Sequence, residues 1–269
     1  MKPTDVTVTL HPYLSRLTLN VNGLNAPTKR HSVSEWIKKQ DSSICCLQET
    51  HFRPEDTSRL KVRGCRTTCH ATGRQNKAGI AIRISDKLDF KLKAVTRDEE
   101  GHYITITGSI HQEELTIISV YGLNLEAPNY IKQWITNISK LVDKKVVISG
   151  DLNTPLTTMD RSSRHRINKE TRALNDTLDQ IYLTDIFRSL HSKPTEYTFF
   201  SNARGTLSKL DHLLGHKTAL HKYKRIEITP CILSDHKAMQ HDINHSWKSG
   251  RLPKAWRLKN TLLKNEWVN

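Results

Sequence analysis

Apolar and polar positions alternate along Arg16-Leu17-Thr18-Leu19-Asn20-Val21-Asn22 until Gly23 stops the pattern. That predicts a strand with one buried face. The period then changes. Val33, Trp36 and Ile37 share one face of a helix over 28–39, with Thr28 as its cap. Ile44-Cys45-Cys46-Leu47 reads as a second strand running into Gln48-Glu49-Thr50, Pro54 opens a short helix, and Gly79-Ile80-Ala81-Ile82-Arg83-Ile84 is a third strand. Two further strands, 102–107 and 115–121, form an antiparallel hairpin around a polar turn over 109–114. A helix over 129–142 places Ile131, Ile135, Ile138, Leu141 and Val142 inward.

Val146-Val147-Ile148-Ser149 is a buried strand broken by Gly150 and Pro155, so Asp151 and Asn153 fall in the loop after it. Residues 168–180 are helical. Strands 197–200 and 207–214 flank the turn Ser201-Asn202-Ala203-Arg204-Gly205-Thr206, and the last strand covers 238–243. Regular β-α alternation is missing, which argues against a purely parallel sheet. The pattern fits two mixed sheets face to face with helices outside, in one domain over 1–243. A different segment follows over 244–269. From 246 onward it carries six Lys or Arg, with Glu266 as the single acid.

Composition narrows the function classes. The chain of 269 residues carries a formal charge of +15, which points to a polyanionic partner. No apolar run approaches the roughly 18 residues of a membrane span, and Met1-Lys2-Pro3-Thr4-Asp5 has no signal pattern. An intracellular monomer without membrane contact is expected. The odd count of five cysteines argues against a disulfide framework, and Cys65, Cys69 and His70 lack a second pair at zinc spacing.

The candidate chemistry lies at strand ends, where open α/β sheets bind ligands. Asn20 and Asn22 close the first strand, Glu49 the second, Tyr121 and Asn124 the hairpin, and Asp151 and Asn153 the central strand. Asp235-His236 precedes the last strand. Asp211 sits among Leu210, His212 and Leu213, where a carboxylate needs a partner such as a histidine. Asp151 and Asn153 would equally serve a plain Asx-turn. Together these groups suit phosphodiester hydrolysis: Glu49 and Asp235 as ligands for Mg²⁺, Asp151 or His236 as base, and Asn153, Tyr121 and His236 as phosphate donors.

Leu19-Asn20-Val21-Asn22-Gly23-Leu24, Gln48-Glu49-Thr50, Gly150-Asp151-Leu152-Asn153, Leu210-Asp211-His212 and Ser234-Asp235-His236, in this order, resemble the endonuclease/exonuclease/phosphatase family. Asn22-Gly23-Leu24-Asn25-Ala26-Pro27, Asp160-Arg161-Ser162, the run Thr195-Glu196-Tyr197-Thr198-Phe199-Phe200-Ser201 and the tail's Trp256-Arg257-Leu258 are similar to LINE-type retrotransposon endonucleases. The resemblance implies a four-layer α/β sandwich and a Mg²⁺-dependent enzyme, with Mn²⁺ as a substitute, that nicks T-rich double-stranded DNA in the nucleus, with a cytoplasmic fraction. It implies that Glu49 binds the metal with Asn20 and Asp235, and that Asp151 activates water or protonates the leaving oxygen. Asn153 and Tyr121 would hold the phosphate, and Asp211 would orient His236. It extends the DNA contacts to Asn124, Arg161, Thr198, Arg204 and Ser234, and makes 244–269 the start of a linker towards a polymerase. An apurinic-site endonuclease or exonuclease, and an inert DNA-binding remnant, are the competing readings. Where the family has Tyr-Ala-Pro-Asn, this chain has Tyr121-Gly122-Leu123-Asn124. Pro fixes φ and Gly frees it, so a looser loop is expected.

Overall fold

The computed structural model describes residues 13–65, 67–73, 78–123, 127–142, 145–163, 166–191 and 196–244. Asn124 and the tail from 245 onward lie outside the described residues. The chain runs β1 (Tyr13–Asn20), α1 (Pro27–Gln40), β2 (Ile44–Gln48), β3 (Thr67–Ala71) and β4 (Ile80–Ile84). There follow β5 (Phe90–Arg97), β6 (Tyr103–Ile110), β7 (Glu113–Tyr121), α2 (Ala127–Ile138), β8 (Val146–Asp151), α3 (Lys169–Gln180), β9 (Leu183–Asp185) and α4 (Ile186–Leu190). The rest is β10 (Phe199–Ser201), β11 (Thr206–Ser208), β12 (Asp211–His216), β13 (Tyr223–Thr229) and β14 (Ala238–Asn244).

Two six-stranded mixed sheets result, ordered β13-β14-β1-β2-β4-β3 and β5-β6-β7-β8-β12-β9. The period-two alternation of β1 explains the layering. Leu17, Leu19 and Val21 face outward and pack with Val33 and Ile37 of α1. Leu14 faces inward and meets Ile104, Ile106 and Ile117 of the second sheet. On the far side Ile118, Val120 and Ile148 pack with Ile131 and Ile135 of α2 and Leu174 and Leu178 of α3. Helix, sheet, sheet and helix give the expected four layers. Each fully buried Leu or Ile contributes about 1.5–3 kcal/mol.

Several expectations are revised. Thr28 lies inside α1, whose cap position is Ala26 with no side-chain bond; Pro27 at the first turn starts the helix instead. The hairpin turn shrinks to His111-Gln112, both in the left-handed region, as a tight two-residue connection requires. The helix after it ends at Ile138; Leu141 is exposed, and Trp134 takes part in the buried stripe. The strand expected over 207–214 is two strands in different sheets, because Lys209-Leu210 carries the chain from β11 across to β12. Arg83, the odd charge in an apolar strand, is buried and donates to the carbonyls of Leu60 and Cys65. All five cysteines are free thiols. Among the described residues no helix is long and apolar enough to cross a membrane.

Candidate active site

β1 and β2 are parallel, as are β7 and β8, while β12 runs antiparallel to β8 and β14 to β1. The carboxyl ends of the first four and the amino ends of the last two therefore meet at one edge of the sandwich. Asp151 and Asp211 are direct cross-strand partners there. Asn20 reaches across from the other sheet, its Nδ2 donating to Asp151 Oδ2 at 2.9 Å. The second oxygen of Asp151 accepts the Asn153 N–H at 2.8 Å. The bond to Asn153 is the local contact that an Asx-turn would make; the bond to Asn20, 131 residues away in sequence, is what a turn alone would not make.

His236 stands between the two carboxylates. Its Nδ1 is 2.7 Å from Asp211 Oδ2, and its Nε2 is 3.8 Å from Asp151 Oδ2. Burial alone would lower the imidazole pKa, but the charge and hydrogen bond of Asp211, with Asp151 and Asp235 adding to them, raise it to about 10. Burial, with Asp211's charge, raises the Asp151 carboxyl, and His236, Asn20 and the Asn153 N–H only partly offset that. Burial would raise Asp211 too, yet His236 and Thr198 hold it below its ordinary value. The result is a protonated imidazole beside a carboxylate poised to take a proton.

Tyr121 joins this cluster to Glu49. Its hydroxyl hydrogen-bonds the side chains of Glu49 and Asn153; burial, then Glu49 and the charge of Asp151, raise its pKa, and the bond to Asn153 only partly offsets that. Asn153 also donates to the Gly122 carbonyl at 2.9 Å. Glu49 and Asn153 both have φ near +50°, an uncommon conformation for such residues and one that gathers at functional sites. The loop at Gly122 is tight, contrary to expectation: a Cβ there would sit 2.5 Å from the Leu152 carbonyl oxygen.

Asp151, Asp211 and His236 bring one donor atom each within 4.8 Å of one another. Asp211 Oδ1 is buried with no partner. Two carboxylates, with Glu49 tied in through Tyr121, form a hard donor set that fits a divalent cation. Asn20 is committed to Asp151, and Asp235 is exposed at the rim.

The residues expected to touch DNA separate. Arg161 and Arg204 are exposed. Thr198 is fully buried, and its hydroxyl accepts the N–H groups of Leu210 and Asp211, so it positions Asp211 and does not face solvent. Ser234 donates to the Asn20 carbonyl at 2.7 Å and accepts the His236 N–H, which fixes the loop carrying His236. Sequence reasoning missed Phe199, whose ring lies 4.9 Å from that of His236 and ties β10 to the site. It also missed a buried ion network. Lys209 and His212 Nδ1 both meet Asp185 Oδ2, His212 Nε2 reaches the Thr154 carbonyl at 2.9 Å, and Asp160 pairs with Arg188. The signal available was Lys209 within the strand expected over 207–214, where a buried charge requires a partner.

The sequence matches the Endonuclease/Exonuclease/phosphatase family over residues 17–236. It is 23% identical over 264 residues to the Transposon TX1 149 kDa protein of Xenopus laevis, covering 94% of this chain and 20% of that protein. The chain thus spans a fifth of that relative's length. The AP endonuclease LMAP of Leishmania major has a similar structure, with a TM-score of 0.73 and 16% identity over 87% of this chain and 88% of that one. So does the endonuclease domain of TRAS1, a telomere-specific non-LTR retrotransposon, with a TM-score of 0.64 and 18% identity over 86% and 99%.

Proposed function

Because the chain belongs to the Endonuclease/Exonuclease/phosphatase family, we propose that it is a divalent-metal-dependent endonuclease that nicks double-stranded DNA at T-rich sites. The observation that carries this reading is the Asp211–His236–Asp151 arrangement, with one carboxylate oxygen of Asp211 left without a partner. In it His236 offers Nε2–H to a phosphate oxygen, and Asp211 holds the ring in place and in charge. Asp151, held by Asn20 and by the Asn153 N–H beside His236, takes the proton of the attacking water. Tyr121 and Asn153 border the phosphate. Glu49, Asp151 and Asp211 are the carboxylates that would hold Mg²⁺ or, in its place, Mn²⁺, which would neutralise charge on the scissile phosphate.

The charge of +15 supports a DNA substrate over a small phosphate ester. The T-rich preference rests on the β10–β11 hairpin, which the Phe199–His236 contact places beside the catalytic histidine. Its tip exposes Arg204, and Arg favours the narrow, strongly negative minor groove of A-tracts. Likeness to transposon proteins supports a role in priming insertion, in which the nicked strand supplies a 3′-hydroxyl. The test is nicking of supercoiled plasmid with Mg²⁺, with EDTA and with Asp151→Ala. Metal-dependent nicking that Asp151→Ala abolishes is expected. Cleavage of abasic duplex alone would move the assignment to a repair endonuclease.

A further inference from the structure

At the opposite end of the sandwich, where β7 and β8 begin, lies a cavity of about 560 Å³. Its lining includes Arg16, Lys93, Leu115, Val147, Lys222 and Tyr223. Arg16 sits four residues before Asn20 on the same inward face of β1, roughly 13 Å from the catalytic edge. Its side chain is 2% exposed. All three guanidinium nitrogens are buried without a hydrogen-bond partner, and no carboxylate pairs with them among the described residues. Beside it, His241, directly opposite on β14, also has both ring nitrogens buried and unpartnered.

A buried guanidinium without a counter-ion is costly, and natural structures pair it or give it a ligand. We propose that this cavity is a binding site for a small phosphomonoester of mononucleotide size, with Arg16 as the anchor of its phosphoryl group. Arg presents a planar fork that matches phosphate oxygens in pairs. Lys222 and Lys145 add positive charge to the lining and Glu113 adds negative charge, while Lys93 and Glu114 are engaged with each other at 2.7 Å. The volume is several times that of phosphate alone and lies within the range of small-molecule sites. Leu115, Val147 and the Tyr223 ring offer the apolar wall that the organic part of such a ligand needs.

The experiment is thermal unfolding of the full chain without anion, with inorganic phosphate, and with a 5′-mononucleotide, for the wild type and Arg16→Leu. For the wild type the mononucleotide should raise Tm by roughly 5 °C at a hundredfold excess over Kd, and phosphate should do so less well. In Arg16→Leu both shifts should vanish, its Tm without anion should be higher, and plasmid nicking should be unchanged. Equal shifts in both proteins would mean that the anion binds elsewhere, the catalytic edge included, and would overturn the proposal while leaving the nuclease reading intact. So would the absence of any wild-type shift. A second readout does not depend on the variant folding. In the ¹⁵N-arginine-labelled wild type, the slowly exchanging Nε–H signal of the buried Arg16 should move on titration with mononucleotide; a signal that stays in place counts against the site.

Discussion

Asp211 is the residue on which the charge state of the site depends. Its carboxylate accounts for most of the rise in His236, so Asp211→Asn should bring the His236 pKa down towards its ordinary value. A group with a raised pKa is protonated below that value, so wild-type activity that needs His236-H⁺ persists above neutral pH. Asp211→Asn should bring that alkaline limit down towards neutrality. A pH profile of plasmid nicking checks this, and an unshifted limb would remove His236 from the reaction. Gly122 makes the opposite case to the one its sequence suggests. Read as a loosening of the loop, it should be improved by Ala-Pro; with the Leu152 carbonyl 2.5 Å from a Cβ, Gly122→Ala must displace the backbone that holds Asn153. Nicking should fall by roughly tenfold or more, or Tm should fall measurably. Improved nicking at unchanged Tm would show that the loop yields at no cost.

At the scale of elements, β12 carries two linked functions. Its first residue is Asp211, and its second, His212, joins Lys209 and Asp185 in the buried network and clamps Thr154 after the Asp151 loop. Removing one charge from such a network strands the others. Lys209→Met should destabilise the chain by about 3–5 kcal/mol, measured by urea unfolding, with partial recovery when Asp185→Leu is added. The hairpin β10–β11 is the opposite kind of element: short, projecting and exposed at its tip. Replacing Ala203-Arg204-Gly205 by Ser-Asn-Gly should spread the nick positions on a plasmid at similar total activity. An unchanged nick map would assign target choice to other loops.

Over the whole molecule, pH acts on stability through the half-buried His70 and the buried His241. His70 is pulled down to about 4, chiefly by burial and then by Arg83 and Arg97. The unfolded chain therefore binds this proton at about pH 6.5, before the folded chain does, and stability falls as pH drops from there towards 4. The loss at pH 5 should approach about 2 kcal/mol relative to pH 8, and His70→Gln should flatten that part of a denaturation series. His241 is shifted in the same direction, by burial and then by Arg16, and steepens the acid limb. The basic excess predicts DNA affinity that falls steeply and linearly in log salt, independent of sequence.

The strand ends that carry the site were legible because they rest on local rules. An alternating run stops at Gly23 and a continuous apolar run at Gly150, and the polar residues at those stops recur at several strand ends in one order. The pairing of Asp211 with a histidine was legible for the same reason, since an apolar strand does not leave a carboxylate alone. Which side chains are solvated and which are committed was not legible, because that depends on contacts between residues far apart in the chain. Thr198 looks like a surface contact until the crossing from β11 to β12 buries it beneath Asp211. The short strands β3 and β9 have no period of their own and exist because β4 and β12 offer open edges to pair with. Arg16 reads as an ordinary polar position in an alternating strand; its isolation follows from the second sheet closing over the face that β1 turns inward.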